Sequence, residues 1–437
     1  MDSLRLRSLV LRLCCVVGLA LAVAPAAAGS EHERPTELIS GTIASIEFEG
    51  NRRTKEVVLR RAVEAEPGDH FDAETAEQIE DDLKSLGLFS SVEVESKALR
   101  DGPDRGAAAG APDAPGGPGE VEVLVTLEER WTLVPIPFFA SGSGGFSGGL
   151  FVFESNLFGY NKQLIAGGTY ADDGFGGLLV YSDPAVLNSD WLLVTALSAG
   201  REDVETADPA YRDRWTYAAN ELSAGGSVGY RFAAELSVRA GADYRYLEVT
   251  DTEEPDIVAE GGYAFLTYRT EIAFNRTEPE EFFDSGYTLE ASAEVTPGES
   301  GWGVAASGTS NVLVAGSHRL GLGLQSGYGD RPFLLTPRLG GRPTQRTLTP
   351  GTIAEDSYIS QEILYELPLF RFSWGTITLL GFYEGGYLEE PDVIYHGGGG
   401  GARLYLSQVT FPAVGFDLAW NAVNNYPVFS FSLGGRI

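Results

Sequence analysis

Beyond Trp131 apolar and polar residues take turns along most of the chain. Leu236, Val238, Ala240, Ala242, Tyr244 and Tyr246 are interleaved with Ser237, Arg239, Gly241, Asp243 and Arg245. Leu266, Tyr268, Ile272 and Phe274 alternate with Thr267, Arg269 and Glu271. Tyr287, Leu289, Ala291, Ala293 and Val295 alternate with Thr288, Glu290, Ser292 and Glu294. A period of two puts one set on each face of a β-strand. About sixteen such runs can be counted, the first near 132–142 and the last near 428–437, an even number as closure of an antiparallel barrel requires. In a soluble sandwich the apolar face would meet a core. In a barrel it meets lipid, and the charged face lines the lumen. Strand number and length favour the second, so the fold expected is mostly β, a transmembrane antiparallel β-barrel over residues 130–437.

The pattern before Trp131 is different. Arg5, Arg7 and Arg12 precede an apolar run from Leu13 to Val23, and Ala26-Ala27-Ala28 offers small residues for cleavage. Residues 1–28 thus read as a signal peptide, with an apolar run too short to span a membrane as a helix. Residues 29–40 read as a polar linker. Ile43, Ile46 and Phe48 then mark a strand that ends in the turn signal Glu49-Gly50-Asn51. Thr54 is expected to cap a helix carrying Val57, Val58, Arg61 and Ala62. Pro67-Gly68-Asp69 breaks it. A second helix starts at Asp72 or Ala73, with Ala76, Ile79, Leu83 and Leu86 on one face and Gly87 as its cap. Phe89, Val92 and Val94 begin a strand, and Val121, Val123, Leu124 and Val125 form another. The order strand–helix–helix–strand–strand is a compact α+β unit over residues 41–129. Between its last two strands, residues 99–119 are rich in Ala, Gly, Pro and Asp, the composition of a disordered insert.

The unit resembles a POTRA domain. The residues that carry the resemblance are Ile43, Ile46, Phe48, Gly50, Asn51, Thr54, Pro67-Gly68-Asp69, Leu83, Leu86-Gly87-Leu88-Phe89, Val92 and Val94. Such a domain followed by such a barrel resembles the outer-membrane assembly-factor superfamily, the bacterial surface antigens, which includes the BAM central barrel and its Tam relative. Further motifs agree. Asn156-Leu157-Phe158-Gly159 resembles the turn early in the family's barrel. Leu364-Tyr365-Glu366-Leu367-Pro368-Leu369 and Phe382-Tyr383-Glu384-Gly385-Gly386 resemble two late strands, the second with Glu where the family has Asp. The last strand places Phe429, Phe431, Leu433 and Ile437 on one face and Ser430, Ser432 and Arg436 on the other. It resembles the C-terminal assembly signal of outer-membrane proteins, with Ile437 in place of the usual aromatic.

One stretch between strands fits neither strand nor helix. Glycine and proline punctuate residues 339–351, where Gly340, Gly341 and Gly351 flank Arg346. It resembles the family's sixth extracellular loop, which folds back into the barrel. The resemblance implies that Arg346 meets an acid on a neighbouring strand. Counting outward from Ile377 and Leu379 puts Glu384 on the inward face, so Arg346 and Glu384 are the expected contact. In the family a glycine and an aromatic follow the arginine; here Thr347 and Leu348 do.

Charge and chemistry narrow the reading. Removing residues 1–28 takes three Arg and one Asp from 31 basic and 62 acidic residues and leaves a net charge of −33. That argues against nucleic acid as a partner. Acidic runs at 202–208, 251–256 and 278–284 read as solvated loops. Both cysteines, Cys14 and Cys15, fall in the signal peptide, which leaves the mature chain without a thiol. Gly145-Phe146-Ser147-Gly148-Gly149 matches G-x-S-x-G but lacks the strand–turn–helix context of a nucleophile elbow. His32, His70, His318 and His396 have no metal-ligand spacing. The run 397–401 is no phosphate loop, and its glycines suit sharp bending or close approach of another segment. No enzyme, cofactor or metal is expected. What the resemblance implies is a cell outer-membrane protein in contact with lipid, with the POTRA domain in the periplasm. Its partners would be unfolded outer-membrane or secreted clients, and accessory lipoproteins are compatible with it. It would be an assembly and insertion factor working at the seam between the first and last strands. The alternatives are a two-partner secretion pore and a structural surface barrel.

Overall fold

The structure is a computed structural model. It describes residues 38–99, 119–142, 145–207, 214–341, 344–349, 351, 353–389, 392–406, 412–422 and 426–433. The expected signal peptide, residues 100–118 of the expected insert, and Arg436 and Ile437 of the expected last strand lie outside the described residues.

The N-terminal module has β1 (Gly41–Glu49), α1 (Glu56–Ala62), β2 (His70–Phe71), α2 (Ala73–Ser85), β3 (Phe89–Ala98) and β4 (Glu120–Glu129). Its sheet order is β2-β1-β4-β3, with β1 parallel to β4 and β3 antiparallel to it. The short β2 is an addition to the expected order. Ile43, Leu59, Phe71, Ile79, Leu83, Phe89, Val121, Val123 and Val125 form one buried core beneath the helices, with Phe48 packed at its margin. Asp72 caps α2, its side chain accepting from Thr75 N–H. Gly87 leaves α2 at φ +68°, Gly68 turns at φ +106° and Gly50 at φ +92°. A Cβ on Gly50 would lie 2.0 Å from the Leu127 carbonyl oxygen. Positive φ suits all three glycines, and Gly50 also needs the space.

The barrel follows after three residues: β5 (Leu133–Gly142), β6 (Gly145–Leu157), β7 (Lys162–Ala171), β8 (Gly174–Asp183), β9 (Trp191–Ala207), β10 (Arg214–Arg231), β11 (Leu236–Thr252), β12 (Gly261–Pro279), β13 (Asp284–Thr296), β14 (Gly301–Val314) and β15 (His318–Asp330). Two short strands come next, β16 (Arg338–Leu339) and β17 (Ile353–Ala354). The wall resumes with β18 (Tyr358–Phe372), β19 (Gly375–Leu388), β20 (Val393–Leu406), β21 (Pro412–Asn421) and β22 (Tyr426–Leu433). Sixteen long strands, each antiparallel to the next, close when β22 pairs with β5. The alternation works as expected. Ile363, Tyr365, Leu379 and Tyr383 are exposed on the outside, and Glu362, Glu366, Thr378 and Glu384 are buried inside.

The wall is uneven in height. Strands β9 to β12 run 17–19 residues, while β21, β22 and β5 have 10, 8 and 10. About 9–11 residues cross a bilayer core, so the long strands rise well above it. The barrel end beside the N-terminal module is called proximal below, and the other distal.

Candidate functional site

The distal mouth is closed by the segment between β15 and β18. β16 pairs with β17, and Ile353 of β17 pairs with Ala207 of β9, six strands around the ring from β15. The segment therefore crosses the lumen. Arg338 grips the far wall with both terminal nitrogens, each 2.8 Å from a carboxylate oxygen of Glu202. That fork is the strong, directional form of an arginine–carboxylate bond. Phe333, Leu334 and Leu335 pack under the tall wall against Leu247, Val249 and Phe265. Arg331 joins Glu294 (Nε to Oε1, 2.7 Å) and Asp356 (Nη1 to Oδ1, 2.6 Å). Its bed is two glycines, since a Cβ on Gly303 would lie 1.9 Å from Nη2 and one on Gly329 2.8 Å from Nη1.

Gly340 has φ +113°, and a Cβ there would lie 2.0 Å from the Thr349 carbonyl oxygen. Gly341 and Gly351 also have positive φ, +70° and +64°. Gln345, 2% exposed, accepts the Gly340 N–H at 3.0 Å and donates to Ser360 Oγ at 3.3 Å. Leu339, Leu348 and Ile353 are buried with Leu388 and Tyr395.

Arg346 points inward, but its guanidinium does not meet the expected partner, Glu384, which the backbone of the turn reaches instead. Its Nη1 lies 3.4 Å from Glu362 Oε2 on β18, and its guanidinium sits over the Phe382 ring, 4.9 Å from the centroid. Glu384, fully buried, instead accepts the backbone N–H of Thr347. The correction has a simple cause. Glu362 and Glu384 are directly opposite in the β18–β19 register, so two carboxylates stand side by side. The turn brings its backbone to one and its guanidinium to the other. Asn421 on β21 donates to the Thr347 carbonyl at 3.2 Å. The inward glycines of 397–401 are bare because neighbours press on them. A Cβ on Gly397 would meet Thr347 Cγ2 at 2.7 Å, on Gly399 Phe382 Cζ at 2.7 Å and on Gly401 Asp417 Oδ1 at 2.0 Å.

The proximal mouth is obstructed too. The turn at 280–283 between β12 and β13 sends Phe282 and Phe283 inward against Tyr405 of β20, five strands from β13. Ring centroids of Phe282 and Tyr405 are 5.4 Å apart, and Arg319 lies 5.7 Å from the Phe283 centroid. Glu281 takes Arg371 Nε at 2.9 Å and Thr376 Oγ1 at 2.8 Å. Above them Glu366, fully buried, accepts from Tyr405 Oη at 3.0 Å and pairs with Arg319 at 3.2 Å. Between the two closures Arg239, Arg269, Glu271 and Glu294, with Val194, Ala242 and Leu335, line a cavity of about 240 Å³.

The module is fastened to the barrel at the Asn156-Leu157-Phe158-Gly159 turn. Thr54 does not cap α1; Lys55 occupies that position with no side-chain bond. Thr54 Oγ1 accepts from Asn156 Nδ2 at 2.8 Å, and Lys55 N–H donates to the Gly159 carbonyl at 2.8 Å. Asn51 Nδ2 donates to the Thr54 carbonyl at 3.2 Å. A Cβ on Gly159, whose φ is +80°, would lie 2.1 Å from the Arg53 carbonyl oxygen. Glu129 at the end of β4 takes the N–H groups of Arg53 (3.0 Å) and Thr54 (2.6 Å). Burial pushes its carboxyl up, but the hydrogen bonds from Thr54 and Arg53 win and hold it below the usual carboxylate value.

Among the described residues the seam is the shortest junction between long strands. β22 pairs with β5 at four positions, Ser430–Gly142, Phe431–Ser141, Ser432–Ala140 and Leu433–Phe139, against ten pairs between β5 and β6. Phe139 and Phe431 rings lie 6.1 Å apart and Phe429 packs on Phe416 at 5.2 Å. Among the sequence-predicted residues the structure joins Arg346, Glu384 and the loop glycines inside the lumen. It places Phe429 and Phe431 at the seam and keeps Phe48, Gly68, Gly87 and Phe89 within the module. Arg331, Arg338, Gln345, Glu362, Phe282, Phe283 and Glu129 were not singled out by the pattern. Two adjacent phenylalanines in the acidic run 278–284 were the one visible signal.

A family model for POTRA, described as surface antigen variable number repeat, matches residues 41–130. Among solved structures the chain is similar to BamA from Haemophilus ducreyi lacking POTRA domains 1–3, at 14% identity and a TM-score of 0.60 over 90% of this chain and 84% of that one. It is also similar to CdiB from Acinetobacter baumannii (12% identity, TM-score 0.57, 90% and 73% covered). CdiB from Escherichia coli matches at 12% identity and a TM-score of 0.53, with 94% and 93% covered. The module is a POTRA domain, and the barrel has the sixteen-strand outer-membrane fold of BamA and CdiB.

Proposed function

We propose that this single-POTRA barrel is an outer-membrane assembly factor that receives unfolded clients on its periplasmic module and inserts them at the β5–β22 seam. The observation that carries the reading is the contrast between seam and lumen. Among the described residues four pairs hold the seam, whereas the lumen is obstructed distally by three arginine contacts and proximally by two buried phenylalanines. A client strand meets the weaker barrier at the wall. Unpaired backbone groups are costly in lipid, so an opened edge there draws a strand into pairing. Folding into the membrane is downhill and needs no coupled energy source.

The likeness to CdiB supports a second reading, export through the lumen, which requires both closures to move. A cysteine pair separates the two. Ala140 and Ser432 face each other across the seam, so A140C/S432C meets the distance a disulfide needs. Oxidised protein in liposomes should lose client assembly and regain it on reduction. Equal assembly in both states would reject insertion at the seam.

A further inference from the structure

The first barrel strand contains Pro135 and Pro137. Proline cannot donate to a ladder and is confined to strand edges and ends. The register shows which edge these two occupy. Asp172 N–H donates to the Phe146 carbonyl (3.0 Å), so Phe146 bonds toward β7. Ser155 N–H donates to the Thr132 carbonyl (3.1 Å), so Ser155 bonds toward the start of β5. Odd-numbered residues of β6 thus bond to β5, and their partners there are Val134, Ile136, Phe138, Ala140 and Gly142. The alternate residues, Leu133, Pro135, Pro137, Phe139 and Ser141, turn their backbone groups to the seam. Phe139 and Ser141 are the two that face Leu433 and Phe431 of β22. The next two seam-facing positions toward the proximal end are the prolines.

We propose that the seam is divided along its length. Its distal half zips through Phe139 and Ser141, and its proximal half is a notch that cannot zip, because positions 135 and 137 offer carbonyl acceptors without donors. A strand laid along the notch would leave its own carbonyls unpaired there, which is expensive in a bilayer. A client strand laid on β5 is therefore held through both donors and acceptors only over a short segment at residues 139–142. The client part of this statement rests on the assembly reading above; the division of the seam does not.

The test is P135V/P137V in the full-length protein in liposomes, which restores both donors in a residue that favours strands. Two added hydrogen bonds, at the usual net contribution, should make seam opening about 10- to 30-fold rarer. The temperature at which the barrel unfolds in semi-native electrophoresis should rise, and the amides created at positions 135 and 137 should be protected from hydrogen exchange. F139P, which removes one of the two remaining donors, should lower that temperature. Should P135V/P137V fail to fold, P137V carries the same measurement at one position. Created amides that exchange as freely as those of a surface loop, with an unchanged unfolding temperature, would overturn the proposal. Client assembly is then read separately. A zipped seam with unimpaired assembly would reject the assembly reading and leave the divided seam standing. Slowed assembly without added protection would overturn the divided seam.

Discussion

Truncating Arg331 to alanine should unfasten the distal closure. The side chain is 8% exposed and makes contacts of 2.7 and 2.6 Å to Glu294 and Asp356, both under one-fifth exposed. Losing one partner of a fully buried ion pair costs about 3–5 kcal/mol. Two features reduce that here. Glu294 keeps Arg269 at 2.7 Å, and Asp356 keeps the residue 331 N–H at 2.9 Å on its other oxygen. About 2–3 kcal/mol remains. If the closure opens as a unit, R331A should open it roughly 30- to 150-fold more often, at 1.4 kcal/mol for each tenfold. The amides of Gly341 and Leu348 report this, since both are bonded within the turn, Gly341 N–H to the Gln345 and Leu348 carbonyls and Leu348 N–H to the Gln345 carbonyl. Their exchange in nanodiscs should accelerate by that factor. R331K should recover part of it, because an ammonium replaces the charge but not the fork that reaches two acids. Rates within twofold of wild type in R331A, alongside a large acceleration in R346A, would show that Arg346 alone anchors the segment and refute the reasoning.

Two further outcomes follow from the other closures. F282A/F283A should raise conductance across planar bilayers and lower stability by about 3 kcal/mol or more for each ring; a wild-type barrel that already conducts freely would mean the phenylalanines do not close it. Glu129 has its folded pKa held below the unfolded one, near 4.5, so its contribution is complete above that value and is lost as pH falls through the lower, folded one. E129Q should weaken the docking of the module by about 1 kcal/mol at neutral pH and flatten the acid limb, measured as exchange of the Lys55 amide against pH.

The barrel was legible because its rule is local. Period-two alternation fixes which face a residue takes, and it placed Glu384 inside from Ile377 and Leu379 alone. The same parity is blind to partners. Glu362 shares the inward face one strand away, and only the register of β18 on β19 puts it beside Glu384 and under Arg346. Contacts across the lumen were less legible still. Arg338 and Glu202 are 136 residues apart, and nothing in either neighbourhood marks the other. Phe282 and Phe283 were hidden in an acidic run that reads as solvent-facing, although two adjacent aromatics in a turn argue for burial. Thr54 looked like a helix cap because threonine before a helix usually is one. Here the barrel's own turn supplies Asn156 to that hydroxyl, a competitor that lies 102 residues away.

The fastening at the Asn156 turn has a mechanical consequence. Chain continuity through Arg130, Trp131 and Thr132 joins β4 to β5, and Thr54 and Lys55 are held by the turn between β6 and β7. One attachment would be a swivel; two, set apart, make a lever arm. A pull along β3, one of the two edge strands of the module's sheet, would be delivered as torque on the first strands of the wall. Among the described residues those strands form one side of the junction held by the fewest pairs, so a pull on the module would load the wall where it is least paired.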